Sequence, residues 1–348
     1  MSAHPYVRLC EVGPRDGLQN ERTPVPTEAK VAFVDALSAA GFPEIEVSSF
    51  VSAKRVPQLG DAAEVFARIA RRPGTVYSAL VPNERGMEAA LAARAGKVSV
   101  FAAASEGFSR ANTGGTIDEV IARFGPVVRM ARAAGLPVRG YVSCVVRCPY
   151  DGATPPQSVR AVVERLLAAG IDEIDLGETL GVAVPDDLAR LLEGVAPAVD
   201  PGRVTLHLHD SNGRGADNLR AALALGVRSF DASAGGLGGC PFAPGARGNV
   251  ATETALSVFE TEGYDAGVDR AAVARATSAI RQVLATAGVQ RPHRVTLPRP
   301  PRFPRRSRRD PRPFRPAHGA SGRPDAGVDR AAPRRRRGAD PQRRRRRG

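Results

Sequence analysis

Apolar residues recur along the first three hundred positions in two alternating patterns, one typical of buried strands and the other of amphipathic helices. Short apolar runs predict strands near 6–11, 44–48, 76–81, 97–103, 138–144, 172–176, 203–208 and 227–233. Helical periodicity fills 27–40, 60–71, 84–95, 117–134, 155–169, 185–195, 215–225 and 250–261. Eight such units predict an α/β fold in which a parallel sheet closes into a (β/α)8 TIM barrel, with an open doubly wound sheet as the alternative. A further C-terminal helix over 268–286 is expected to pack outside the barrel.

The charge balance changes abruptly near residue 290. Residues 291–348 hold 21 of the 50 basic and 4 of the 36 acidic residues, a net charge of +17, so the rest of the chain carries −3. This segment is rich in arginine and proline and poor in apolar residues, a composition that predicts disorder. We therefore expect a barrel domain over 1–296 and a disordered Arg/Pro-rich tail over 297–348.

Two interpretations of this tail stay open. The chain has three lysines beside forty-seven arginines, which is typical of GC-rich coding, and a shifted frame in such DNA yields Arg/Pro-rich sequence. The favoured interpretation is therefore a non-native extension, and the alternative is a natural arm that binds RNA or another polyanion. The arginine runs at 334–337 and 343–347 would attract nucleic acid through charge alone, because no aromatic residues interleave them for base stacking. No specific nucleic-acid partner is expected.

The remaining composition limits the cellular setting. No apolar run reaches membrane-spanning length, and the N-terminus lacks the hydrophobic centre of a signal peptide. Four scattered cysteines form neither a disulfide framework nor a zinc pattern. The sequence thus predicts no membrane partner and a cytoplasmic location.

Polar residues after two predicted strands, and one before the last barrel helix, could together hold a metal ion. Asp16 follows the first strand beside Arg15, and His207 and His209 project from the same face of the seventh strand. Asn249 stands where an apolar-periodic helix begins. Separately these residues have simpler interpretations: a loop ion pair, core histidines and a helix N-cap. As a set, their oxygen and nitrogen atoms suit Mg²⁺ or Mn²⁺ better than a structural zinc, which would require thiolates.

A glycine-rich loop separates the histidines from Asn249. It runs Ala234-Gly-Gly-Leu-Gly-Gly-Cys-Pro-Phe-Ala-Pro-Gly245, so four of five consecutive residues are glycines and the loop is expected to move. It lacks the spacing of a phosphate loop or a dinucleotide-binding motif. Cys240 is its only thiol. A free cysteine is usually an inert core residue, but in such a loop it is a candidate proton-transfer group or nucleophile.

These residues resemble the 3-hydroxy-3-methylglutaryl-CoA lyase family of TIM-barrel metallolyases. The resemblance covers roughly residues 5–296. It includes Glu11-Val-Gly-Pro-Arg-Asp-Gly-Leu-Gln-Asn-Glu21, the run Ile45 to Ser52, Val81-Pro-Asn83, Ser105-Glu106 with Asn112, Gly140 to Cys144 with Cys148-Pro-Tyr150, Leu176-Gly177, His207 to Asp210, the glycine-rich loop, and Gly248 to Glu253. The first run and the Gly-Leu-Gly-Gly-Cys-Pro loop are the most specific parts.

The resemblance implies a retro-Claisen cleavage of 3-hydroxy-3-methylglutaryl-CoA to acetyl-CoA and acetoacetate. A divalent cation would chelate the substrate hydroxyl and carboxylate and lower the pKa of that hydroxyl. The implied ligands of the cation are Asp16, His207, His209 and Asn249. The implied partner is a small-molecule acyl-CoA, and a homodimer is expected only by analogy with relatives.

The resemblance also assigns roles to other residues. Arg15 would stabilise the developing oxyanion, Cys240 would transfer a proton, and Glu46 would orient Arg15 or assist proton transfer. Substrate contacts fall on Gln19, Ser49, Thr179 and Asn112. Glu253, one helical turn after Asn249, would support the site from behind the ligands.

Three residues, in two segments, depart from the family pattern. The chain has Asp175-Leu-Gly-Glu178-Thr where the lyases usually have Ser-Leu-Gly-Asp-Thr, and Arg147 replaces a small residue. We expect Arg147 to offset Asp175 and Glu178 to take the role of the family aspartate. Alternatively, these changes reshape the pocket for a different 3-hydroxyacyl-CoA.

Two other functions are compatible with parts of the sequence. A Claisen-type synthase or a 4-hydroxy-2-oxoacid aldolase of the same barrel group would share the Arg-Asp and His-x-His elements, but the Cys240 loop favours the lyase. An inactive barrel with a nucleic-acid-binding tail is disfavoured, because no member of the ligand set is missing.

Overall fold

Eight parallel strands form a closed barrel in the computed structural model, which describes residues 4–238 and 248–287. The strands are β1 (Arg8–Glu11), β2 (Glu44–Ser49), β3 (Val76–Leu80), β4 (Lys97–Ala103), β5 (Val138–Ser143), β6 (Glu173–Glu178), β7 (Val204–Leu208) and β8 (Ser229–Ala232). Each strand pairs with its neighbours in sequence, and β1 pairs with both β2 and β8, which closes the sheet. The predicted TIM barrel is confirmed, and the open doubly wound alternative is wrong.

Helices follow the strands and cover the outside of the barrel. They are α1 (Thr27–Ala39), α2 (Ala62–Arg68), α3 (Glu84–Ala92), α4 (Glu106–Thr113), α5 (Ile117–Ala133), α6 (Pro156–Ala168), α7 (Pro185–Val195), α8 (Gly215–Ala224), α9 (Thr252–Thr261) and α10 (Arg270–Ala287). The additional helix predicted over 268–286 is α10. The short helix α4 and a two-stranded ribbon of Arg147–Cys148 and Gly152–Ala153 were not predicted.

The apolar core lies between the strands and the helices, because alternate residues of each strand face outward. On β5, Val138 and Val142 belong to this layer, and Gly140 lets α6 approach the strand closely. A Cβ atom at Gly140 would lie 2.9 Å from Ile171 and 3.2 Å from Leu166. Packing of this layer is the main source of stability for the described domain.

Charged and polar side chains fill much of the barrel interior. Arg139, which is 1 % exposed, contacts Glu44 at 3.1 Å and Asp231 at 3.0 Å. Lys97 contacts Glu44 at 2.8 Å and Glu173 at 2.6 Å near the N-terminal ends of the strands. Buried charges are costly unless they are paired, and removal of one partner typically costs about 3–5 kcal/mol. The interior therefore depends on the complete set of ion pairs.

The loops after the strands form the C-terminal face of the barrel, where TIM-barrel enzymes have their active sites. After β1, the backbone N–H groups of Asp16 and Gly17 both donate to the carbonyl of Val12, which forms one wide π-type turn over Gly13–Gly17. Among the described residues, no helix is both long enough and apolar enough to span a lipid bilayer.

Candidate metal centre

Three predicted ligands lie together at the C-terminal mouth of the barrel. Asp16, His207 and His209 each place one potential ligand atom within 4.8 Å of the others. The Nε2 atoms of the two imidazoles are 3.3 Å apart, and Nε2 of His207 is 3.9 Å from Oδ2 of Asp16. The wide turn after β1 therefore brings Asp16 to the end of β7, about 190 residues later in the chain.

The carboxylate of Asp16 is held by three donors. Its Oδ1 accepts hydrogen bonds from Nη1 of Arg15 at 2.6 Å and from Nε2 of Gln19 at 2.8 Å. Its Oδ2 accepts from Nδ2 of Asn249 at 2.8 Å. Burial alone would raise the pKa of Asp16, but the charge of Arg15 and the nearby histidines lower it below the ordinary value. Asp16 is therefore ionised at neutral pH, as a cation ligand must be.

The two histidines have different electrostatic environments. Nδ1 of His207 lies 3.2 Å from Oδ2 of Asp231, and despite burial this contact raises the pKa of His207 above its ordinary value. Burial, followed by the charge of His207, lowers the pKa of His209 to about 4. His209 is thus neutral at pH 7, the form in which imidazole binds metals.

Asn249 lies beside the cluster but does not cap α9. The helix begins at Thr252 with Ala251 as its N-cap, so the simpler interpretation of Asn249 as a helix cap is wrong, as is its expected place at the start of the helix. Instead, a bridge between His209 and Asn249 brings the two strand-like segments together. Nδ2 of Asn249 donates to Asp16 and to the carbonyl of Leu237 at 3.0 Å.

The donor set fits a divalent cation. With its nitrogen engaged, the buried Oδ1 of Asn249 has no hydrogen-bond donor among the described residues. A buried acceptor without a donor is costly, and a cation would satisfy it. A carboxylate, an amide oxygen and two imidazoles also match the mixed oxygen and nitrogen preference of Mg²⁺ and Mn²⁺ in catalytic sites.

Arg15 is a rigidly held cation next to the ligands. Its Nε donates to Oε2 of Glu46 at 2.5 Å, and its guanidinium lies 5.4 Å from the ring centre of Tyr141. Although burial opposes its charge, Glu46 and Asp16 hold the pKa of Arg15 well above the ordinary value. Glu46 is buried within β2 rather than exposed at its end, and Oε1 accepts from Ser99 at 2.5 Å. The side chain of Arg15 is therefore held in place by a hydrogen bond to Glu46.

Two supporting residues were missed from the sequence. The Tyr141 hydroxyl donates to Oε2 of Glu46 at 3.1 Å and lies 3.4 Å from Asp231, and Asp231 contacts His207. Both are polar residues at inward positions of otherwise apolar strands. That alternation, together with Arg139 two residues before Tyr141, was the available signal.

The departures from the family pattern lie at different depths. Asp175 is fully buried below the mouth and contacts Nη1 of Arg139 at 3.5 Å, whereas Arg147 is exposed on the two-stranded ribbon. The prediction that Arg147 offsets Asp175 is wrong, because the arginine that contacts Asp175 is Arg139. Burial, and then the charge of Asp231, raise the pKa of Asp175 well above its ordinary value.

Glu178 ends β6 at the mouth. Its Oε1 accepts a hydrogen bond from the backbone N–H of Val182 at 3.2 Å, and burial raises its pKa to about 7. Its other oxygen, Oε2, is buried and has no hydrogen-bond partner in the described part of the chain. Glu178 can therefore change protonation state near neutral pH.

The candidate substrate residues are not all brought together. Gln19 contacts Asp16, and Ser49 ends β2 with a buried hydroxyl that has no hydrogen-bond partner within residues 4–238 and 248–287. The Thr179 hydroxyl follows β6 and accepts from the backbone N–H of Cys144 at 2.8 Å. Asn112 is exposed on α4, and no hydrogen bond joins it to this group among the described residues.

Two further candidates are Cys240 and Glu253. Cys240 lies outside the described residues, as does the tail beyond 287. Glu253 does not lie one turn after Asn249 on a common helix. It contacts the backbone N–H of Gly235 at 2.8 Å and the hydroxyl of Thr277 at 2.6 Å.

Comparison with known proteins places this geometry in a family. Residues 6–280 match the family model described as HMGL-like. The chain is 48 % identical over 285 residues to the hydroxymethylglutaryl-CoA lyase of Pseudomonas mevalonii, covering 82 % of this chain and 95 % of that protein. It is 47 % identical over 297 residues to the 3-hydroxy-3-isohexenylglutaryl-CoA/hydroxy-methylglutaryl-CoA lyase of Pseudomonas aeruginosa, covering 85 % and 99 %. The HMG-CoA lyase structure from Brucella melitensis superposes with a TM-score of 0.79 at 47 % identity, covering 81 % of this chain and 99 % of that one. The chain belongs to the HMGL-like family.

Proposed function

We propose that this protein is a divalent-metal-dependent lyase that cleaves 3-hydroxy-3-methylglutaryl-CoA to acetyl-CoA and acetoacetate. The observation that carries the proposal is the convergence of Asp16, His207 and His209 within 4.8 Å, with Arg15 fixed beside them. The names of the relatives in the two Pseudomonas species support the same substrate.

Mg²⁺ or Mn²⁺ is the proposed cofactor, held by Asp16, His207, His209 and Asn249. When bound, such an ion lowers the pKa of a coordinated hydroxyl and neutralises charge on a substrate carboxylate. Three of these ligands are in the state that binds a cation: Asp16 is ionised, His209 is neutral, and the Oδ1 of Asn249 is free to bind.

Arg15 is proposed to stabilise the negative oxygen that develops as the carbon–carbon bond breaks. Its guanidinium is already oriented by Glu46 and packed against Tyr141, so little reorganisation is needed during the reaction. A preorganised cation in a site that excludes water is worth more than the same charge in solvent.

Proton transfer is proposed for Glu178 and Cys240. A pKa of about 7 lets Glu178 accept or donate a proton near neutral pH, and its free oxygen is the available atom. The role of Cys240 rests on the family resemblance, and the exchange of Cys240→Ser would test it through the rate of acetoacetate formation.

The deciding experiment measures acetoacetate released from 3-hydroxy-3-methylglutaryl-CoA by the purified protein, with Mg²⁺ or Mn²⁺ and with EDTA. We expect metal-dependent turnover that His209→Ala abolishes. His4→Ala is the matched control, because His4 is an exposed histidine outside the barrel strands, where it contacts the carbonyl of Gly263. No acetoacetate with either ion, or turnover that resists EDTA, would refute the proposal.

The same assay separates the alternative functions. A 3-hydroxyacyl-CoA with a longer branch, such as the isohexenylglutaryl compound in the name of one relative, tests for a different acyl-CoA. Incubation of acetyl-CoA with 2-oxoacids tests the Claisen-type synthase, and a 4-hydroxy-2-oxoacid tests the aldolase. We also propose a cytoplasmic location, which fits the free thiols of Cys10, Cys144 and Cys148.

A further inference from the structure

Side chains of α9 and α10 hold one residue, Gly235, in the turn at the start of the glycine-rich loop. The N–H of Gly235 donates to Oε2 of Glu253 at 2.8 Å, and its carbonyl accepts from Nη2 of Arg281 at 2.5 Å. Oε1 of Glu253 accepts in turn from the Thr277 hydroxyl at 2.6 Å. Thr277 and Arg281 are four residues apart on α10, so they lie on the same face of that helix.

The backbone at Gly235 needs contacts from other parts of the protein to stay ordered. Gly235 and Gly236 both adopt left-handed backbone conformations, with φ of +67° and +64°. A Cβ atom at Gly235 would lie 2.5 Å from Cγ2 of Thr277, so the close approach of α10 requires glycine here. Two successive glycines have large conformational freedom, and their ordering carries a high entropic cost. The contacts from Glu253 and Arg281 offset that cost.

The turn leads directly to the candidate metal centre. Leu237 follows the two glycines, and its carbonyl accepts from Nδ2 of Asn249 at 3.0 Å. Together with Asp16, this carbonyl fixes the amide nitrogen of Asn249 and leaves its Oδ1 as the free atom. The position of Leu237, together with that of Asp16, therefore sets which way the Asn249 amide faces.

We propose that Arg281 and Thr277, on the outer helix α10, are positioning residues for the cation ligand Asn249. They act through Gly235 and Leu237 and do not touch the ligands themselves. The proposal rests on the divalent-cation site of the proposed function, and it adds an outer helix to the parts of the protein that set cation affinity.

The test measures Mn²⁺ binding without substrate, by electron paramagnetic resonance of the free ion. Arg281→Met keeps the side-chain stem but removes the donors, and we expect it to raise the Kd for Mn²⁺ about tenfold, as is typical for partners of ligand residues. Thr277→Val should raise it about threefold, because Glu253 keeps its bond to Gly235, and Arg281→Lys should restore part of the affinity. Arg275→Met is the matched control, since Arg275 is an exposed arginine on the same helix, and its Kd should stay within twofold of the parent.

A double-mutant cycle identifies the route of the effect. In an Asn249→Ala background the ligand oxygen is gone, so Arg281→Met should weaken Mn²⁺ binding no further. The proposal is overturned if Arg281→Met leaves the Kd within twofold of the parent. It is also overturned if the variant weakens Mn²⁺ binding equally in the Asn249→Ala background. Failure of the proposed lyase activity would appear separately, as a parent protein that binds Mn²⁺ but releases no acetoacetate.

Discussion

Glu11 is a buried carboxyl group that connects three segments of the barrel mouth. Its Oε1 accepts from the backbone N–H groups of Gly13 at 2.8 Å and Ala234 at 2.9 Å, and its Oε2 accepts from the Thr252 hydroxyl at 2.7 Å. Gly13 begins the turn that carries Asp16, and Thr252 begins α9. We predict that removal of this carboxyl loosens the mouth and destabilises the whole domain.

The structure sets the size of the effect of Glu11→Ala. The substitution leaves three buried donors without acceptors, and each such loss costs about 1–3 kcal/mol. Water that enters the vacated space restores part of the bonding, so we expect a loss of about 3–5 kcal/mol in the free energy of unfolding. That is a large fraction of a typical stability of about 5–15 kcal/mol. The corresponding fall in Tm is about 6–10 °C.

Glu11→Gln provides the matched comparison. The amide oxygen can keep both backbone donors, and the amide nitrogen faces the Thr252 hydroxyl, which can rotate to accept. We therefore expect Glu11→Gln to stay within about 1 kcal/mol of the parent at pH 5. Glu11→Gln should also keep its turnover at pH 5. The turnover of Glu11→Ala should fall, because the segments at the barrel mouth become less ordered.

The difference in stability between the parent and Glu11→Gln should depend on pH. Burial raises the pKa of Glu11 from 4.5 to about 8, so the folded protein binds this proton more tightly than the unfolded chain does. The stability of the parent relative to Glu11→Gln is then fully present below pH 4.5 and is lost as the pH rises toward 8. The slope is at most about 1.4 kcal/mol per pH unit. The free energy of unfolding of Glu11→Gln should thus rise relative to that of the parent as the pH increases, and the variant should be the more stable protein at pH 8.

Scanning calorimetry of the three proteins from pH 5 to pH 8 measures both effects, and acetoacetate release measures the functional one. A difference in Tm between the parent and Glu11→Gln that does not change over this range would refute the account of burial. Equal stability of the alanine and glutamine variants would refute the account of the three donors.

Three further predictions concern the metal centre and the tail. Asp231→Asn should raise the Kd for Mn²⁺ about tenfold, because Asp231 orients the imidazole of His207. Electron paramagnetic resonance of the free Mn²⁺ measures this Kd. Arg15→Lys should lower kcat about 10²–10³-fold with a smaller change in KM, because a lysine cannot contact Glu46 and the substrate at the same time. Steady-state acetoacetate release measures both constants. Deletion of 297–348 should leave turnover unchanged in the same assay, and loss of activity would show that the tail belongs to the enzyme.

The barrel could be predicted from the sequence because its strands are short, apolar and regularly spaced. Each predicted strand overlaps an observed one, and most ends agree within about two residues, the usual uncertainty of boundaries. Helix α4 was missed because it has eight residues and only Phe108 and Ser109 are buried. So short an element carries too few apolar positions to show helical periodicity.

The meeting of Asp16 with the two histidines was also predictable, because parallel barrel strands all end at one face. The detailed partners were not. The sequence places Asn249 at the start of a helix, but a backbone bridge to His209 sets its position, and pairing across forty residues leaves no local signal. Glu253 likewise binds Gly235 and Thr277 through tertiary packing of α10, which no spacing in the sequence reveals.

The error over Asp175 shows which information the sequence lacks. Arg147 follows β5, the strand next to β6, but Asp175 lies three residues before the end of β6. At about 3.3 Å per residue, that is roughly 10 Å below the mouth. Arg139 is the second residue of β5 and lies opposite Glu173, two residues deeper than Tyr141, which is the register partner of Asp175. Its long side chain extends to the carboxylate of Asp175 at 3.5 Å. Depth inside a barrel follows from strand register, so polar residues on inward positions have to be paired by register before nearby loops are considered. By that rule, the alternation of Arg139 and Tyr141 along β5 places a charged layer directly beneath Arg15 and His207, and the chemistry at the mouth rests on that layer.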